Sequence, residues 1–305
     1  MVPSLSYFLN TIRPIALLAA VVLSVCTAVP VDAGSCSIVV VRSAQLQPHL
    51  EVVRGIRDAC ECSVREVTLR SNEGSEKVLA KSPNIVITVG TSGLKKLKEI
   101  TTLPLIYAMA VPSEALRCQG ANISGVSMDL APASHVATMH DIFPDKRRIG
   151  VIYDPRNTGA FFEEAVKAAR AAGLELISQQ VHDPSRLPAA LSAMRDRIDI
   201  FWMLPDPSVV TTENVDLLLR FSFQEAVPIF TFSRKYVDMG AVASLDLDPY
   251  DIGVQVGELA NRLNAGSGAV REYARMPRLT VNRNVAGKMG IAIKEEIIRK
   301  VKKID

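Results

Sequence analysis

Short, unbroken apolar runs rich in β-branched residues recur along the chain at 37–41, 85–89, 105–109, 148–153, 198–204 and 228–232. A strand that shows one face to water alternates apolar and polar side chains, whereas a strand covered on both faces reads as a continuous apolar run. Between these runs lie longer segments in which apolar residues return every three or four positions, the spacing of an amphipathic helix. Phe161, Ala165, Ala168 and Ala172 form one such stripe, opened by Asn157 or Thr158 as a cap and closed by Gly173, a residue suited to a left-handed exit. Leu187, Leu191 and Met194 form a second behind Asp183-Pro184, where Pro184 fits the first helical position because its missing N–H would be unpaired there. Ile252, Val256, Leu259 and Leu263 form a third, between Asp248 with Asp251 three residues on and Gly266. This alternation predicts the α/β class, with parallel sheets covered by helices.

One apolar run departs from that rhythm. Residues 15–29 follow Arg13 and lead through Pro30 to Val31-Asp32-Ala33, the layout of a secretory signal peptide over 1–33. The run is shorter than the roughly 18 to 20 residues a spanning helix needs. Export to the periplasm follows, or association with the cell surface if the segment is retained or lipidated. Cys26 stands where a lipoprotein would be modified, but Val25 is bulkier than the small residue such a cysteine normally follows. The rest of the chain is long enough for two lobes, each with its own core.

Composition adds exclusions. The formal charge of +3 is spread out, with only a short basic cluster at Arg299, Lys300, Lys302 and Lys303, so no nucleic-acid partner is indicated. Cys36, Cys60, Cys62 and Cys118 would remain after cleavage and allow three pairings. A bridge from Cys36 to the end of the first helix and free buried thiols both stay open. Cys60-x-Cys62 lacks the two-residue gap of zinc pairs, and the histidines at 49, 135, 140 and 182 make no pair at i, i+3 or i, i+4, so no metal is expected. A nucleophile elbow, a dinucleotide fingerprint and a P-loop are all missing from the sequence, and neither catalysis nor a cofactor is expected.

Particular stretches carry a resemblance. These include Ile85-Val86-Ile87-Thr88-Val89-Gly90-Thr91, Asn122-Ile123-Ser124-Gly125-Val126-Ser127, the block from Lys146 through Gly150 to Asp154-Pro155, and Trp202-Met203-Leu204-Pro205-Asp206. Gly240-Ala241 leading to Asp248-Pro249-Tyr250-Asp251, and Ala286-Gly287-Lys288-Met289-Gly290, complete the series. In their order and spacing the chain resembles the ABC-transporter substrate-binding family that includes tryptophan- and tyrosine-binding receptors, with the type I periplasmic-binding-protein fold. The resemblance implies two Rossmann-like lobes, 34–126 with 241–278 and 127–240 with 279–305, joined by a three-segment hinge near 125–128, 240–246 and 276–281. It implies a monomer that closes around a small organic solute, an amino acid or related carboxylate, and delivers it to an ABC permease. The same fold also serves as a sensory receptor feeding a membrane kinase or chemoreceptor.

The expected contacts lie where strands end. Thr91 and Ser92 follow a buried strand and open a helix, so they either cap it or hold a ligand carboxylate at its positive end. By the resemblance, Ser43, Gln45, Pro48 and His49 face the cleft, with Met109 as an apolar wall two strands on. On the second lobe the resemblance points to Asn157, Thr158 and Asp206. Asp206 would pair with a ligand ammonium or cap the helix after it. Ser233, Arg234 and Asp246 stand where relatives commonly differ, which leaves the solute's charge open. Trp202 lies inside a strand and reads as core.

Overall fold

The computed structural model describes residues 36–42, 44–69, 73–100, 102–110, 120–300 and 303–304. The signal segment expected over 1–33, Ser43 and Cys118 lie outside the described residues. The strands are β1 (Ser37–Arg42), β2 (Ser63–Thr68), β3 (Ile85–Val89), β4 (Leu105–Ala108), β5 (Ile123–Val126), β6 (Arg148–Tyr153) and β7 (Glu175–Gln180). They continue with β8 (Ile200–Trp202), β9 (Ile229–Thr231), β10 (Ala243–Leu247), β11 (Arg271–Glu272), β12 (Pro277–Val281) and β13 (Lys303–Ile304). The first half of the chain carries α1 (Gln47–Ala59), α2 (Glu76–Leu79), α3 (Thr91–Leu97), α4 (Pro132–Ile142) and α5 (Pro155–Ala171). The second half carries α6 (Leu187–Ser192), α7 (Thr212–Gln224), α8 (Arg234–Met239), α9 (Pro249–Asn264), α10 (Arg283–Lys288) and α11 (Glu295–Lys300).

Two sheets result, in the orders β11-β5-β4-β3-β1-β2 and β13-β12-β10-β9-β8-β6-β7. Pairing is parallel throughout except between β10 and β12. The apolar runs behave as strands buried on both faces. In β1, Ile38 and Val40 point toward α1 and α9, while Val39 and Val41 join Val78, Leu94 and Leu97 on the other side. In β6, Ile149 and Val151 share a core with the first sheet's inner face, and Ile152 packs with Leu187, Leu191 and Phe201 on the far side.

The caps refine the expected helix starts. Asp154, not Asn157 or Thr158, caps α5 by accepting the Arg156 N–H at 2.9 Å, with Pro155 in the first turn; Gly173 supplies the left-handed exit with φ 69°. Asp183 caps a short 3-10 turn that precedes α6, and Asp248 caps α9. Cys36 is bridged to Cys62 rather than to the helix-end Cys60, whose sulfur instead accepts the Cys62 N–H at 3.4 Å.

The chain passes between the sheets at residues 127–131, at 248 and at 273–276, each time between an element of one sheet's layer and an element of the other's. The middle passage falls later than the expected 240–246, and 243–247 belong to the second sheet rather than to the first lobe. The reason is hydrogen bonding: Ala243, Ser244 and Leu245 are buried, and their backbone groups are satisfied between β9 and β12. The passages are tied to one another. The Ala274 N–H donates to the Asp129 carbonyl at 3.3 Å, Arg278 pairs with Asp248, and Gln255 of α9 donates to the Tyr273 carbonyl at 3.0 Å.

Candidate functional site

The ends of β6 and β8 are joined by two carboxylates. Asp206, fully buried, accepts the Asp154 N–H and the Thr158 hydroxyl, each at 2.7 Å, on one oxygen. Its other oxygen accepts the Ser208 N–H at 2.9 Å and the Asn157 amide at 3.1 Å. Asp154 accepts from Arg156, His182 and Ser208, and the Arg156 guanidinium above all holds it well below the usual carboxylate range. The start of α5 is thereby fixed against the 204–208 turn.

Beside this knot a cavity of about 770 Å³ opens between the two sheets. The first sheet contributes Tyr107 and Met109 at the end of β4, and Pro48 reaches it from α1. Tyr107 lies over Gly125 of β5, where an added Cβ would fall 2.4 Å from the ring. Met109 adopts φ 53°, a left-handed backbone uncommon for a residue with a side chain and a frequent companion of binding sites. The second sheet contributes Trp202, Leu204, Phe232 and Ser233, and α5 contributes Asn157, Thr158 and Phe161. The first and third passages complete it with Asp129 and Tyr273, beside Asp246 of β10 and Glu272 of β11.

One wall is aromatic. The His135 ring of α4 lies 5.4 Å from Trp202 and 5.9 Å, edge-on, from Phe161, which itself meets Trp202 edge-on at 5.7 Å. Burial pushes the His135 pKa down to about 4, so the ring is neutral at neutral pH, and its Nδ1 has no hydrogen-bond partner. The lining is also acidic. Glu164 accepts the Tyr273 hydroxyl at 2.7 Å, and Glu272 is engaged by Arg262 and by Gln255. Asp129 and Asp246 are less occupied: burial pushes each up to about 6. Asp246 accepts the Arg234 N–H at 2.8 Å on one oxygen, while the other is buried beside the Ser244 hydroxyl without a well-formed hydrogen bond.

Of the residues expected in the site, Met109, Asn157, Thr158, Ser233 and Asp246 line the cavity together. Asn157 and Thr158 do so while bonded to Asp206, and Ser233 while accepting the Lys235 N–H at 3.3 Å. Asp206 is not in the wall; its carboxylate is turned into the lobe and its neighbours Pro205 and Pro207 line the space instead. Gln45 is exposed, and His49 is buried with its ring nitrogen 3.3 Å from the Ala44 carbonyl, so Pro48 is the member of that loop in contact. Thr91 and Ser92 open α3 outside the wall, and Arg234 meets the site through its backbone, its side chain pairing with Asp238 at 3.5 Å. Sequence reasoning placed none of Asp129, His135, Phe161, Glu164 and Tyr273 in the site, Phe161 being read only as part of a helix stripe. Trp202, expected as core, is buried and also faces the cavity.

Comparison with known proteins gives a consistent set. A family model described as ABC transporter substrate binding protein matches residues 71–304. A curated tyrosine-binding protein of Clostridioides difficile (strain R20291) is 23% identical over 195 residues, 61% of this chain and 56% of that protein. The chain therefore matches just over half of that relative's length. Among solved structures, an ABC domain in complex with L-Trp from Streptococcus pneumonia matches with a TM-score of 0.59 at 19% identity, over 89% of this chain and 100% of that one. A ligand-free, open substrate binding protein with adhesive properties from Clostridium difficile matches with a TM-score of 0.70 at 12% identity, over 88% and 99% of the two chains. At these identities the structural likeness is one of fold.

Proposed function

The chain belongs to the ABC transporter substrate-binding protein family, and from that premise we propose that it captures a small organic solute between its two sheets, outside the cytoplasm, and presents it to an ABC permease. The observation that carries this reading is the cavity itself, because both sheets and two of the passages between them, 127–131 and 273–276, contribute to one wall. A solute touching every moving part binds the closed arrangement better than the open one, and that difference in affinity is the whole driving force for closure. The size and lining support an amino acid or a relative of one. A space of about 770 Å³ with Trp202, Phe161, Tyr107 and Phe232 in its walls suits a solute with an apolar or aromatic body. The tyrosine-binding relative and the L-Trp complex among the structural neighbours lend weight to that class.

A thermal-shift screen of the purified protein against amino acids, aromatic amines, aromatic acids, nucleosides and sugars tests it. A ligand at about 100 times its Kd stabilises the native state by about 2.7 kcal/mol. In a chain of this size that raises the melting temperature by about 4 to 5 °C. Response to amino-acid-like solutes is expected; a flat panel would remove the support for a solute receptor.

A further inference from the structure

We propose that the solute carries an ammonium group, held by Asp129 on the first passage and Asp246 near the end of β10, in a cavity that also presents the aromatic wall of Trp202, Phe161 and His135. This rests on the solute-receptor reading and says which charge that receptor selects. An acid lines the cavity on or next to each passage: Asp129 within 127–131, Asp246 in β10 before 248, and Glu272 in β11 before 273–276. With Glu164 that makes four carboxylates facing one space, against the single guanidinium of Arg271.

The acids are not equivalent. Glu164 and Glu272 already have partners in Tyr273, Arg262 and Gln255. Asp129 has neither a side-chain donor nor an ion pair among the described residues, and one Asp246 oxygen is buried with no well-formed hydrogen bond, only the Ser244 hydroxyl beside it. A buried, unpaired polar atom costs free energy unless something supplies its missing bond. His135, 6% exposed with Nδ1 unpartnered, is an independent orphan on the same wall. An ammonium group offers three donors to such carboxylates, and aromatic faces attract a desolvated cation further. A solute charged only by a carboxylate would instead add a like charge to this lining.

The neighbouring charges agree. Asp129 faces Tyr273, with Glu164 and Glu272 beyond it and neutral His135 on α4. Asp246 faces Arg234 of α8 and Arg278 of β12, but Arg278 is engaged by Asp248 and Arg234 by Asp238. Burial holds Asp129 and Asp246 near pH 6 in the unliganded protein, so both are ionised and ready above that pH and become protonated below it. Binding of a cation requires the ionised form. Affinity is therefore full at pH 7.5 and falls as the pH drops through 6, by about tenfold per aspartate at pH 5.

Titration calorimetry at pH 7.5 and 5.0 with three matched sets decides the matter: tyramine and tryptamine, tyrosine and tryptophan, and 4-hydroxyphenylacetate and indole-3-acetate. Solutes with the amine are expected to bind at pH 7.5 and to weaken at least about tenfold at pH 5.0, while the acids without it fail at both. Asp129→Asn and Asp246→Asn, checked for folding by their melting temperatures, are each expected to lose at least about tenfold at pH 7.5 and to flatten the pH dependence. Acids binding as tightly as amines, or an affinity indifferent to both substitutions, would overturn the proposal while leaving a solute receptor in place. Failure of every solute, whatever its charge, would sink both readings.

Discussion

Asp206 accepts four hydrogen bonds, from the backbone of Asp154 and Ser208 and from the side chains of Asn157 and Thr158, with no part of it exposed. Replacing it by alanine strands four donors at once, in a place water does not reach. Removal of one member of such a buried charged network typically costs about 3 to 5 kcal/mol. Urea unfolding of Asp206→Ala is expected to show a loss of that order, and a loss below about 1 kcal/mol would mean that the knot does not hold the lobe. Sequence reasoning saw this carboxylate at a strand end and left open whether it faced a ligand or a helix. Its donors come mostly from residues 48 to 52 positions away, and no local pattern records them. The same limit hid Asp129. An aspartate in a passage between lobes looks like any solvated loop acid until its surroundings are known. Met109 was legible because strand ends in α/β sheets face clefts, although its left-handed backbone was not.

At the scale of elements, α1 and α9 touch through their backbones. An added Cβ on Gly253 would fall 2.1 Å from the Val52 carbonyl oxygen, and one on Gly55 would fall 2.2 Å from that of Tyr250. In an open helix, glycine to alanine gains up to about 1 kcal/mol from propensity. Here overpacking opposes that gain and outweighs it, so Gly253→Ala is expected to destabilise by about 1 to 3 kcal/mol. Gly287→Ala in α10 is the control: nothing lies within 4 Å of its Cβ position, and the melting temperature should hold or rise. Equal effects at the two positions would refute the close approach. The helix stripes and the doubly buried strands β1, β3, β4 and β6 were legible because burial on both faces leaves an unbroken apolar run. β2 and β7 were not, since each sits at a sheet edge and carries polar side chains along much of its length, as in Ser63–Thr68 with Arg65 and Glu66. The bridge from Cys36 to Cys62 follows from the parallel pairing of β1 with β2, which brings Ser37 beside Ser63; choosing Cys62 over Cys60 required that register.

For the whole molecule, chain length allowed two lobes and the family resemblance implied them, whereas the middle passage was displaced because a short buried strand, Ala243–Leu247, looks much like an extended linker. Its true position matters to function. With β10 inside the second sheet, Asp246 moves with that sheet, Asp129 lies on the first passage, and Glu272 ends a strand of the first sheet. A solute bridging these groups draws the sheets together, and a preference of about 100-fold for the closed arrangement moves the equilibrium by about 2.7 kcal/mol. The acids of the lining repel one another, and an ammonium group held among them cancels part of that repulsion. Small-angle X-ray scattering should therefore show a smaller radius of gyration at pH 7.5 with a saturating solute than without it. Acidification to pH 5 without solute removes much of the same repulsion by protonating Asp129 and Asp246, and is expected to produce part of that contraction. An unchanged radius at saturation would show that the passages do not act as a hinge, and contraction with solute but none with acid would assign closure to direct contacts rather than to relief of charge.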